Sequence, residues 1–143
     1  MIFNNTLEII LPKFDNDKKE ISWNEELKKI GLSFGGYTLF DSGVSGVWYD
    51  GKNKYSDENM ILRLDYLSLK KDNIRAFKSL LSYAFKTQLS LYVRLNNRTT
   101  FLDLGNYENF LKYLIENWYN RIIYFMILKI LFYKVFSNDK INC

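Results

Sequence analysis

Two segments of the chain alternate between apolar and polar residues, the pattern of β-strands that have one buried face. Residues 89–95 alternate leucine or valine with Ser90, Tyr92 and Arg94. In residues 59–67 the two faces are less sharply divided, and Arg63 and Asp65 share one of them. Residues 7–11 also read as a strand, ended by Pro12, which cannot donate to a ladder. These strands predict a sheet that is covered on one side.

Helical periodicity is clearest in residues 72–88, where four apolar side chains form one stripe. They are Ile74, Phe77, Leu81 and Ala84. An earlier, shorter helix is expected to begin at a capping box formed by Ser22 and Glu25 and to end at Gly31.

Between the first helix and the second strand region, glycine-rich sequence predicts a hairpin. A strand enters over residues 34–41, residues 42–46 form the turn, and residues 47–50 return. The resulting order is β-α-β-β-α-β, the ferredoxin-like plan, with an antiparallel sheet and two helices on one face. Residues 99–104 are expected to add a short strand. We therefore predict an α+β domain over residues 1–105 and a hydrophobic helical tail over residues 106–143.

The tail is the most apolar part of the chain. Residues 118–136 are long enough to cross a bilayer, but Lys129 lies near their centre. One central lysine costs about 3 kcal/mol, which nearly cancels the gain of about 4 kcal/mol from the apolar residues. Packing against the domain or a second copy is favoured, and membrane contact is the alternative. The expected contact residues are Trp118, Ile122, Phe125, Met126, Lys129 and Phe132.

Composition excludes several chemistries. The chain has no histidine and one cysteine, Cys143. Zinc sites built on His or Cys clusters and His-dependent catalytic triads are therefore excluded. A lone cysteine and an N-terminus without a basic leader predict a cytoplasmic protein, and no metal or cofactor is expected.

One cluster of polar side chains is expected on the uncovered face of the sheet. Its members are Glu8, Arg63, Asp65, Tyr92 and Arg94, with Trp48 flanking them from the hairpin. Two guanidinium groups beside aromatic rings could hold a phosphate-bearing or planar ligand. The simpler interpretation is cross-strand ion pairing of Glu8 with Arg63 or Arg94, which stabilises the sheet only slightly.

Two other functions are less favoured by the sequence. Nucleic-acid binding is less favoured because the chain has a net charge of only +4 and a single tyrosine on the last strand. A nucleic-acid surface is expected to carry more positive charge and more aromatic rings. Carboxylate catalysis would need a facing pair, for which Asp41 and Asp50 at the two ends of the predicted hairpin are candidates. Aspartates in turns more often bond local amides.

Residues 34–58 carry a recognisable pattern. It consists of Phe34-Gly35-Gly36-Tyr37-Thr38, then Gly46-Val47-Trp48, Gly51 and Glu58. This pattern resembles a family of small bacterial, phage and plasmid proteins that have no established activity. The resemblance extends weakly over residues 6–95, implies the ferredoxin-like plan, and does not include the tail.

The sequence therefore favours a non-enzymatic accessory binding protein, encoded by a phage or plasmid and engaging a host protein. An inhibitor of a bacterial defence system such as CRISPR is one specific form of this hypothesis. Self-association into a homo-oligomer is a further expectation. The alternatives are sequestration of a nucleotide-like ligand on the open sheet face and membrane association through the tail.

Overall fold

The computed structural model describes residues 5–116 and 126–131. It shows a mixed α+β fold whose five strands form one antiparallel sheet in the order β2-β3-β1-β4-β5. The elements are β1 (Asn5–Pro12), α1 (Asn24–Phe34), β2 (Thr38–Asp50), β3 (Asn53–Tyr66), α2 (Lys71–Ala84), β4 (Leu91–Leu95) and β5 (Arg98–Leu102). Residues 107–116 and 126–131 are helical as well.

The predicted mixed fold is confirmed, but its sheet has one strand more than a strict ferredoxin-like sheet. The extra strand, β5, pairs with β4 across a two-residue turn formed by Asn96 and Asn97. Both asparagines adopt positive φ angles, 48° and 68°. Asparagine tolerates this conformation well, and two such residues in succession are typical of a tight hairpin.

The core lies between one face of the sheet and the helices. Along β1 buried and half-buried residues alternate strictly, and Leu7, Ile9 and Leu11 are almost completely buried. Helix α2 contributes the apolar stripe that the periodicity predicts to this core. Phe77, Leu81 and Ala84 of that stripe are buried. The opposite face of the sheet carries the polar residues of the same strands.

The predicted hairpin is wrong in its turn. Residues 42–46 do not reverse the chain, because β2 continues through them as one strand with an irregular register between Phe40 and Val44. The reversal occurs at Gly51 and Lys52, where Gly51 has a φ of 60°. Lys13, which follows β1, donates from Nζ to the carbonyl oxygen of Asp41 and so holds the irregular segment.

Both predicted boundaries of α1 are also wrong. Trp23, not Ser22, is the cap residue, and it makes no side-chain capping bond. The Trp23 ring is buried and its Nε1 donates to the carbonyl oxygen of Pro12 at 2.8 Å, which fixes where the helix begins. The helix passes Gly31 and ends before Gly35, whose φ of 80° suits glycine at a helix end.

The first part of the predicted tail packs on the domain. In the helix at residues 107–116, Leu111 and Leu114 belong to the core, and the Phe110 ring lies 6.4 Å from that of Phe77. Met126 and Lys129 lie in the exposed helical segment 126–131. The other predicted tail contacts lie outside the described residues: Trp118, Ile122, Phe125 and Phe132. None of the helices described is long and apolar enough to cross a membrane.

Candidate docking surface

The strand register brings the predicted polar cluster together on the uncovered face. Glu8 on β1 lies directly opposite Arg63 on β3 and directly opposite Arg94 on β4. Asp65 and Tyr92 fall on the same face by strand alternation. These five side chains therefore lie on one face of the sheet.

Their ion pairing differs from the prediction. Arg63 pairs with Asp65, two residues along the same strand, with Nε 3.2 Å from Oδ2. Arg94 donates to the side-chain oxygen of Asn97 at 3.2 Å. The predicted Glu8 pairs are wrong, because each guanidinium has a nearer acceptor, and Glu8 forms no ion pair with any described residue.

Asp65 has a second partner, the Thr6 hydroxyl, which donates to Oδ1 at 2.8 Å. This hydrogen bond and the adjacent Arg63 lower the pKa of Asp65 below its usual value of 3.8. Asp65 is therefore ionised at neutral pH and neutralises the charge of Arg63. The two arginines and two carboxylates on this face leave little net charge to attract a phosphate group.

Strand β5 widens the same face with an aromatic contact that the sequence analysis did not single out. The Tyr92 and Phe101 rings meet edge to face at 5.5 Å, and the Tyr92 hydroxyl lies 3.1 Å from the Thr99 hydroxyl. Phe101 is 62% exposed. Thr99 and Phe101 are two residues apart after the Asn96-Asn97 turn, so both side chains lie on the same face of the strand. This spacing is the sequence feature from which the contact could have been predicted.

Strands β2 and β3 continue beyond the end of the sheet. Pairing of β1 with β3 stops where Pro12 meets Asn59. Beyond that point residues 45–50 and 53–58 pair in ladders only with each other among the described residues. We call residues 44–58 the arm. At about 3.3 Å per residue, its seven-residue outer strand extends for about 23 Å.

The arm exposes aromatic side chains on both of its faces. On one face the Trp48 and Tyr55 rings stack at 4.1 Å with an interplanar angle of 14°, and Trp48 Nε1 donates to Asp57 at 3.1 Å. On the other face lie Val47 and Tyr49, which are 51% and 66% exposed. Trp48 is itself 50% exposed, so half of its surface remains open to solvent.

The structure therefore separates Trp48 from the polar cluster that it was expected to flank. Trp48 pairs with Tyr55, which precedes Arg63 by eight residues on β3, or roughly 26 Å along the strand. The cause is the position of the turn at Gly51, which lengthens both strands of the hairpin.

The observed position of the turn also shows that Asp41 and Asp50 do not form the facing carboxylate pair considered from the sequence. Asp41 lies at the irregularity in β2 and Asp50 at the end of that strand, next to the turn. Because they belong to one continuous strand, they do not face each other. Within residues 5–116 and 126–131, no three Asp, Glu, His or Cys side chains are grouped so that they could hold a metal ion.

Comparisons with known proteins add little to this geometry. No protein-family model matches the chain, and no curated protein matches it significantly. A phage SAM lyase solved with S-methyl-5'-thioadenosine has a TM-score of 0.46 and 13% identity, covering 72% of this chain and 92% of its own. A phage SAM lyase in the apo state has a TM-score of 0.46 and 12% identity, covering 69% and 88%. At these values the similarity does not indicate a shared activity.

Proposed function

We propose that this protein is a non-enzymatic binding protein that docks on a partner protein through its arm. The framework that carries the arm is, on this proposal, a ferredoxin-like unit of four strands and two helices to which β5 is added. The order β2-β3-β1-β4 among the first four strands supports it.

One observation carries the functional proposal: the arm is a two-stranded ribbon with exposed aromatic rings on both faces. An isolated two-stranded hairpin is only marginally stable in water, so a ribbon of this length gains from being covered. Tryptophan and tyrosine contribute most strongly when a partner buries them. The stacked Trp48 and Tyr55 rings are held in place before binding, which reduces the entropy lost on docking.

The alternative function, binding of a phosphate-bearing ligand on the open sheet face, is less favoured than docking through the arm. The Arg63 guanidinium is already paired with the Asp65 carboxylate, and Glu8 lies opposite both arginines in the register. An anion bound there would meet two carboxylates, whose repulsion opposes binding.

The partner proposed for the arm is a host protein, and a component of a bacterial defence system such as CRISPR is one specific form of this hypothesis. A second surface for self-association is proposed on the helical segment 126–131. Its exposed apolar residues include Met126, Ile127, Ile130 and Leu131. Patches of this kind commonly mark interaction sites.

Photocrosslinking in cells of the native host tests the docking proposal. A photoreactive amino acid replaces Tyr49 in the arm, and the matched control places it at Phe101, which is similarly exposed but lies on β5. We expect a discrete crosslinked protein from position 49 and none from position 101. Absence of a crosslink at 49, or the same product from both positions, would contradict the proposal.

A further inference from the structure

We propose that the arm binds an extended, basic segment of its partner by β-strand addition, with the segment pairing along the free edge of β2. This inference rests on the proposed function, because it specifies how the arm engages a partner. In strand addition, backbone hydrogen bonds supply affinity and alternate side chains supply specificity.

The first argument is the edge itself. Strand β2 is the outermost strand on its side of the sheet, since its neighbour on the inner side is β3 and no described strand lies beyond it. It is 13 residues long, whereas β5 at the opposite edge has five residues. Long exposed edges recruit other strands, and proteins normally block them with lysine, proline or short length.

Strand β2 carries no lysine, arginine or proline along its length. Its one irregularity, between Phe40 and Val44, lies at the sheet end of the arm and leaves residues 44–50 in continuous register with β3. Seven residues in regular register exceed the typical strand length of about five to six residues. The edge is therefore long enough and regular enough to accept one.

The second argument is charge. The chain as a whole has a net charge of +4. The region from β2 to residue 58 nevertheless carries more acidic than basic side chains. The acidic ones are Asp41, Asp50, Asp57 and Glu58, and the basic ones are Lys52 and Lys54. A segment with lysine or arginine complements this local charge and gains in rate and specificity.

The same charges disfavour a second copy of this chain as the occupant. Asp41 and Asp50 belong to β2, which itself carries no lysine or arginine. Pairing of two β2 edges would bring together two regions that each carry an excess of acidic side chains. Juxtaposed like charges oppose association.

The exposed rings define the side chains that the segment needs. Residues of an added strand point alternately to the two faces of the sheet. On one face they would adjoin Trp48, and on the other Val47 and Tyr49. Apolar residues alternating with basic ones would contact the rings on one face and leave the positive charges near the carboxylates.

The test uses the full chain and three synthetic seven-residue peptides. The first alternates valine or threonine with lysine, the second has glutamate in place of each lysine, and the third is the basic peptide methylated on alternate backbone nitrogens. Hydrogen exchange is followed for the amides of residues 44–50 and, as an internal control, for those of residues 98–102 in β5.

We expect the basic peptide to slow exchange in residues 44–50 by about tenfold or more and to leave residues 98–102 unchanged. The acidic peptide should have little effect, and methylation should abolish protection because it removes edge hydrogen bonds. Substituting Asp50→Lys should reduce the preference for the basic peptide.

Equal protection by the acidic and basic peptides, protection confined to β5, or no protection by any peptide would overturn the inference. Protection of residues 44–50 without peptide, together with a dimer in sedimentation, would assign the edge to a second copy. A specific crosslink from position 49 combined with failure of the peptide test would refute strand addition alone and leave arm docking intact.

Discussion

Substitution Asn73→Ala should destabilise the fold because Asn73 joins the two helices that cover the sheet. The side chain is 6% exposed. Its Oδ1 accepts from the Lys70 backbone N–H at 2.8 Å, at the start of α2. Its Nδ2 donates to the carbonyl oxygen and to the hydroxyl of Ser33, each at 2.9 Å, in the last turn of α1.

The magnitude follows from the groups that alanine leaves without partners. Removing a bond at a helix start costs about 0.5–2 kcal/mol. Leaving a part-buried carbonyl without its donor costs about 1–3 kcal/mol more. We therefore expect a loss of about 2–4 kcal/mol in the free energy of unfolding, or roughly 5–15 °C in melting temperature for a domain of this size.

Urea denaturation followed by circular dichroism measures this loss, with the slope of the transition expected to stay unchanged. Asn24→Ala is the matched control, since Asn24 begins α1 but is exposed and its side chain forms no hydrogen bond with any described residue. The control should change stability by less than about 0.5 kcal/mol. A loss below 1 kcal/mol for Asn73→Ala, or equal losses for both variants, would refute the role assigned to the inter-helix bonds.

Three further predictions concern other parts of the molecule. Because the folded-state pKa of Asp65 is lowered, its stabilising contribution is present above its usual value of 3.8 and is lost as the pH falls through the folded value. The melting-temperature difference between wild type and Asp65→Asn should therefore be constant above pH 5 and shrink below about pH 4, and a difference that grows on acidification would contradict this sign. Gly51→Val should destabilise the arm by about 1–2 kcal/mol, since Gly51 has a φ of 60°, and exchange of arm amides should rise while that of β1 amides does not. Ile130→Lys should abolish concentration-dependent self-association in sedimentation without lowering the melting temperature, because Ile130 is 56% exposed, and an unchanged oligomer would refute the assigned surface.

Strand faces could be predicted from the sequence because alternation is a local property of a strand. Once residues 59–67 and 89–95 were recognised as strands, parity alone placed Arg63 and Arg94 on the uncovered face. Their pairing with Glu8 in the register follows from the position of β1 in the sheet. The partner of each guanidinium could not be predicted in the same way, because side-chain geometry lets Asp65 form the ion pair with Arg63 and Asn97 accept the hydrogen bond from Arg94 in place of Glu8.

The arm was missed because the sequence offers two candidate turns and the choice between them is not local. Residues 42–46 and 51–52 both contain glycine, and local composition does not show which of them reverses the chain. In the structure β2 continues through residues 42–46, and the pairing of Asp50 with Asn53 places the reversal at Gly51 and Lys52. The start of α1 was missed for a similar reason, since Trp23 is fixed by its bond to Pro12 on β1.

The central claim is that the aromatic arm forms the docking surface, and affinity for the partner captured at position 49 tests it most directly. The full chain and two variants, Trp48→Ser and Phe101→Ser, are titrated against the purified partner. Loss of a central aromatic contact costs about 2 kcal/mol or more, so Trp48→Ser should weaken binding about 30-fold. Phe101→Ser should leave binding within about twofold of wild type. Equal affinity for the Trp48→Ser variant and the wild type, or an equal loss in both variants, would contradict the account.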